Sequence, residues 1–139
     1  MFEFWRIWLI VVGLGIAGAG VAMALLGGSR VFDGMNRLID PAFWKDAPDP
    51  ATRRYQTWIY GVLGGTMAGW GLTVAILVAG AFPTHQLWAW WSVAGAVALW
   101  FVLDTGQSLR HRVIANATLN TVVLAAVAIP LALTFGQFH

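Results

Sequence analysis

Three uncharged stretches limit what this chain can fold into. One lies between Arg6 and Arg30, a second between Arg54 and Asp104, and a third runs from Val113 to His139. An α-helix needs about 20 mostly apolar residues to cross a bilayer. The first and third stretches satisfy that once each, and the middle one twice, with Phe82-Pro83-Thr84-His85 as the break. Lipid offers an open backbone no hydrogen bonds, and the runs are far too long for barrel strands. The expected fold is therefore all-α: a membrane-embedded four-helix bundle in one domain over residues 1–139. Its spans are expected at about 5–28, 55–82, 86–103 and 113–135.

Charge supports this reading. Only 10% of the residues are charged, against about 25% in an average soluble domain. The sequence has no cysteine, which excludes disulfides, thiolate metal sites and dithiol redox chemistry. Residues 2–28 superficially resemble a secretory signal. The apolar run is too long for one and Glu3 spoils the basic leader, so the segment is read as a retained span. Lys and Arg fall unevenly. Arg30, Arg37, Lys45, Arg53 and Arg54 lie in the first loop, Arg110 and Arg112 in the third, and Arg6 alone on the other side. This asymmetry accounts for the net charge of +2 without a nucleic-acid partner. It predicts a multi-pass protein of the bacterial inner (cytoplasmic) membrane with both termini non-cytoplasmic.

Aromatic residues gather at the expected span ends. Trp5, Trp8, Phe82, Trp88, Trp90, Trp91, Phe135 and Phe138 lie at one end, and Phe43, Trp44, Tyr55, Trp58 and Tyr60 at the other. Amphipathic rings favour the headgroup level, so these residues are read as interface anchors. Trp70 falls mid-span instead, where its indole N–H needs an acceptor. In the first loop, Val31, Phe32, Met35, Leu38 and Ile39 recur at helical spacing, opposite Arg30, Asp33, Asn36, Arg37 and Asp40. That is the pattern of a short helix lying in the interface plane, ended by Pro41. Asp49 followed by Pro50 reads as an N-cap and first helical residue opening span two.

The string Gly13-Leu14-Gly15-Ile16-Ala17-Gly18 matches GxGxxG literally. A dinucleotide site would need a strand, a turn and a helix within a βαβ unit, and the apolar run continues through Leu26. Helix packing explains the same residues. Gly13, Ala17, Gly20 and Ala24 repeat every three or four positions, and so do Gly61, Gly65 and Gly69 in span two, with Gly64, Ala68 and Gly71 beside them. Small residues at this spacing let a second helix backbone approach closely, within the bundle or between copies.

Asp104 is the only acid at or near membrane depth, and Asn116 and Asn120 share a face of span four at i, i+4. With Thr105 and Ser108 nearby, these groups could converge on one polar cluster. Such a cluster would be a binding or proton site; the blander alternative is an Asp104 at the water boundary, paired with Arg110, Arg112 or Arg53. Trp70, Asp104, Asn116 and Asn120 are the candidate ligand contacts. His85 and His111 fall on opposite membrane faces, so they cannot share a metal or haem, and no Ser–His–Asp set is discernible. No catalytic residue, metal or cofactor is expected.

The string Trp58…Gly61…Gly64-Gly65-Thr66-Met67-Ala68-Gly69-Trp70-Gly71, with Trp88-Ala89-Trp90, Trp100-Phe101…Asp104-Thr105…Ser108 and Asn116…Asn120, resembles a group of small bacterial four-helix membrane proteins without an assigned activity. The architecture is also similar to the sterol-isomerase/emopamil-binding domain, which holds lipophilic ligands between four helices. That family uses membrane-embedded histidines and acids. Here no histidine and one acid qualify, so the resemblance implies a lipophilic pocket rather than the isomerase chemistry. The expected role is non-catalytic, exerted through helix contacts as an accessory or assembly subunit or as a homo-oligomer, among membrane lipids. The alternative is a protein or enzyme binding a lipid, quinone or sterol-like molecule between its helices.

Overall fold

A computed structural model describes residues 1–42 and 44–139; Phe43, one of the expected ring anchors, lies outside the described residues. The architecture is all-helical: α1 (Phe2–Leu26), α2 (Arg30–Ile39), α3 (Pro50–Gly80), α4 (Leu87–Arg110) and α5 (Ile114–Thr134), with single 3-10 turns at Phe82–Thr84 and Phe135–Gln137. α1, α3, α4 and α5 are long and apolar enough to cross a membrane. Both chain ends meet the α3–α4 turn: the His139 N–H donates to the His85 carbonyl (3.1 Å) and the Leu87 N–H to the His139 carbonyl (3.3 Å).

Two helices are longer than the hydropathy pattern implied. The Asp49 carboxylate accepts from the N–H groups of Ala51 (2.9 Å) and Thr52 (3.1 Å), and Pro50 sits in the first turn, so α3 starts at Pro50 rather than near Tyr55. This occupies donors that an uncapped helix end leaves open. At the other end of the bundle's sequence, α4 runs past Leu103 to Arg110 and so carries Asp104, Thr105 and Ser108 on helical turns.

α1 and α3 pack antiparallel through small residues. A Cβ added at Gly20 would lie 2.6 Å from the Gly64 carbonyl oxygen and hard against the Ala68 nitrogen. One added at Gly71 would lie 2.5 Å from the Ala17 nitrogen and 2.7 Å from the Gly13 carbonyl oxygen. A Cβ on Gly64 would strike Ala24 in turn. Gly13, Ala17, Gly20 and Ala24 of α1 thus face Gly64, Ala68, Gly71 and Ala75 of α3, backbone to backbone. The sequence reading had emphasised Gly61, Gly65 and Gly69 on α3. Those three meet nothing within 4 Å, because they lie on the adjacent, outward side of the helix.

α5 is held by two indoles. Pro130 lies inside the helix and has no N–H to donate to the Ala126 carbonyl one turn back. Trp8 Nε1 of α1 donates to that carbonyl instead, at 2.9 Å. Near the end of α5 the Phe135 N–H turns to Ala132, and Trp90 Nε1 of α4 donates to the Leu131 carbonyl at 2.9 Å. Thr134 Oγ1 donates to the Pro130 carbonyl at 2.8 Å. Trp8 and Trp90 are therefore not simply headgroup anchors. They cross-link helices by supplying donors where α5 lacks its own.

An apolar cluster joins all four long helices. Leu9, Val74, Val78, Val93, Val97, Val127 and Leu131 form one cluster with Phe82 and Phe138. Phe82 is fully buried and its ring lies edge-on to Phe138, with centroids 4.9 Å apart. These two rings belong to the core, unlike the exposed Trp58, Trp88 and Trp91. Between α3 and α4, Trp70 and Trp100 pack ring against ring at 5.6 Å.

α2 lies against α1 and α5 at the end of the bundle opposite the termini, and side chains tie it to α3. Its contact side is the flank of the apolar face. Phe32 and Asn36 are buried, while Val31 and Leu38 remain exposed. Asn36, placed on the polar side by the sequence pattern, is only 2% exposed, and its Oδ1 accepts from the Tyr60 hydroxyl at 2.7 Å. Arg53 clamps Asp33 with both terminal guanidinium nitrogens, Nη1 on Oδ1 and Nη2 2.9 Å from Oδ2.

Candidate functional site

The extension of α4 decides the geometry around Asp104. One turn after Asp104, the Ser108 hydroxyl donates to the Asp104 carbonyl at 2.8 Å and lies 3.3 Å from Oδ1. α4 ends in a tight turn in which Arg112 adopts a left-handed φ of 61° and the Val113 N–H returns to the Ser108 carbonyl at 2.8 Å. α5 then rises directly alongside α4. The i, i+4 spacing of Asn116 and Asn120 points both amides at the same carboxylate oxygen: Asn116 Nδ2 donates to Asp104 Oδ1 at 2.8 Å and Asn120 Nδ2 at 2.7 Å. Asn116 Nδ2 is also 2.8 Å from Ser108 Oγ, and Asn120 Nδ2 3.2 Å from Thr105 Oγ1. Thr105, Ser108 and Asn120 are buried, and Asp104 and Asn116 partly so.

Among the described residues no basic side chain pairs with this carboxylate. Among the described residues the ion pairs are Arg6 with Glu3 and Arg53 with Asp33. The boundary alternative required Asp104 to pair with Arg110, Arg112 or Arg53, and the geometry replaces that pairing with neutral partners. Arg53 is held by Asp33 on α2, and the Asp33 carboxyl lies below the ordinary range chiefly because it accepts from that guanidinium. Both amide donors converge on Oδ1, with Ser108 Oγ 3.3 Å from it; among the described residues no hydrogen bond reaches Oδ2.

Trp70 stands apart from the cluster. It packs on Trp100, one turn before Asp104 on α4, and makes no hydrogen bond to the carboxylate or the amides. The two best-formed surface cavities among the described residues are not lined by Trp70, Asp104, Asn116 or Asn120. One, of about 230 Å³, is an apolar groove between α4 and α5 lined by Trp90, Ala94, Val97, Leu124, Ala128 and Leu131, among others. The other, of about 720 Å³, lies along the start of α3 at Pro50, Ala51, Arg54, Tyr55 and Trp58. Both open sideways.

His85 and His139 stack at the terminal end with centroids 6.5 Å apart. Among the described residues, no three His, Asp or Glu side chains converge in a way that could hold a metal ion. The indole caps on α5 and the Asn36–Tyr60 pair were missed by the sequence reading. Pro130 within a span was the available clue to the first.

No family model, curated protein or solved structure matches the chain. The similarity to the sterol-isomerase/emopamil-binding domain thus has no support beyond the count of helices.

Proposed function

We propose that this chain is a non-catalytic membrane protein that works through lateral helix contact, as an accessory or assembly subunit or as a homo-oligomer. One observation carries the reading. α3 bears two small-residue stripes, and the bundle uses only one of them. Gly64, Ala68, Gly71 and Ala75 are taken up by α1, while a Cβ on Gly61, Gly65 or Gly69 would meet open space. The open stripe is continuous along the helix with exposed Trp58, Leu72 and Ile76. Such a face lets a second helix approach closely and gain van der Waals contact that lipid supplies less well. The charge asymmetry supports a bacterial inner-membrane location with both termini outside the cytoplasm.

Gly65→Leu tests the proposal. The position has room for the side chain, so melting of the isolated chain should be unchanged, while its assembly after mild detergent extraction should be lost. An assembly of unchanged size would defeat this reading. A second reading, a module for a lipid, quinone or sterol-like molecule, is favoured by the convergence of Asp104, Asn116 and Asn120. Copurification of such a molecule, lost in Asp104→Asn, would support it over the first.

A further inference from the structure

The Asp104 cluster carries an inference independent of lateral contact. We propose that it is a binding site for one small monovalent cation of the sodium type, held between α4 and α5.

Charge balance comes first. Asp104 is partly buried at the end of the apolar stretch of α4, where a carboxylate costs free energy unless it is hydrated or compensated. Among the described residues its hydrogen-bond partners are neutral, with Asn116, Asn120 and Ser108 around Oδ1 and none at Oδ2. The cluster therefore carries one uncompensated negative charge, which a single monovalent cation matches. A divalent ion would leave an excess of positive charge.

Ligand chemistry comes second. Hard cations take oxygen ligands from carboxylates, amide carbonyls and hydroxyls. Five such side chains are linked in series here, from Ser108 Oγ through Asn116, Asp104 Oδ1 and Asn120 to Thr105 Oγ1, with neighbouring atoms 2.7–3.3 Å apart. Both amides turn their nitrogens to the carboxylate. Their terminal torsion is broad and roughly two-fold. Half a turn of each amide would present Oδ1 in place of Nδ2, offering a cation amide oxygens from α5 beside the α4 carboxylate. Ligands come from both α4 and α5, so occupancy should tighten that helix pair.

The experiment compares thermal melting of the purified chain in sodium chloride and in choline chloride at equal ionic strength and fixed pH. The Trp70–Trp100 pair offers a fluorescence readout beside α4. Sodium should raise the melting temperature saturably, and choline should not. Asp104→Asn keeps the shape and removes the charge, and it should abolish the sodium-specific rise. Asn116→Ala removes one ligand and should shift the midpoint to higher sodium, so the test survives if one variant fails to fold. Equal responses to sodium and choline would overturn the site, as would a melting temperature that follows pH alone. A sodium response of full size in Asp104→Asn would overturn it too.

Discussion

Replacing Trp8 by Phe should destabilise the bundle by an amount that depends on whether residue 130 is proline. Trp8 Nε1 is the donor to the Ala126 carbonyl, 2.9 Å away, and that carbonyl is open because Pro130 brings no N–H. Trp8→Phe keeps a ring and deletes the donor. A buried acceptor left unsatisfied costs about 1–3 kcal/mol in general, but Trp8 is 43% exposed on the protein surface. Interhelical hydrogen bonds measured in a membrane protein average about 0.6 kcal/mol and reach about 1.7. The coupling between the two positions should therefore fall between about 0.6 and 1.7 kcal/mol. Pro130→Ala restores an N–H to α5, which takes over the Ala126 carbonyl. Trp8→Phe should consequently cost less in that background. The assay is a double-mutant cycle on reversible unfolding in mixed detergent micelles, followed by helical circular dichroism. Additivity within about 0.3 kcal/mol would refute the idea that Trp8 replaces the bond Pro130 removes.

Gly20→Ala should lower stability by about 1–3 kcal/mol, because its methyl meets backbone atoms that cannot yield. Gly65→Ala, which meets nothing, should leave unfolding in detergent unchanged or slightly improve it. The docking of α2 should depend on pH only in acid. Arg53 lowers the Asp33 carboxyl, so the ion pair's contribution is complete above the free-carboxyl value of about 3.9 and fades as pH falls through the lower docked value. Hydrogen exchange of α2 amides, corrected for intrinsic rates, should show loss of protection below about pH 4 and none between pH 5 and 8. Partly exposed pairs are worth about 0–1 kcal/mol, so the loss should be less than about tenfold. Arg53→Gln should remove the pH dependence, and a loss of protection near pH 6 would contradict it.

The spans were legible because uncharged runs of that length have few alternatives in lipid. Their ends were less so: the Asp49 cap advances α3, and α4 outlasts its apolar stretch by the polar turns from Asp104 to Arg110. α1 offered a stripe at Gly13, Ala17, Gly20 and Ala24, and these residues line the α3 contact. α3 offered two stripes with nearly the same period, and periodicity cannot choose between Gly65 and Gly64; the position of α1 does. The i, i+4 spacing of Asn116 and Asn120 made their approach to Asp104 readable. The missing arginine was not readable, since Arg53 is held by a helix in a distant loop. Trp8 and Trp90 looked like anchors because their acceptors are main-chain carbonyls, and Pro130 marked only the first of these.

The account stands most directly on what touches the open face of α3 in a native membrane. Leu72 lies on that face beside Gly65 and Gly69 and is exposed, as Leu99 is on α4. A photo-activatable phenylalanine analogue at Leu72 replaces one bulky apolar side chain with another, and the same analogue at Leu99 serves as the control. Lateral contact predicts a discrete protein adduct from position 72, a second copy or another chain, that Gly65→Leu abolishes, with lipid adducts dominating at position 99. Lipid adducts alone at both positions would contradict the proposed function.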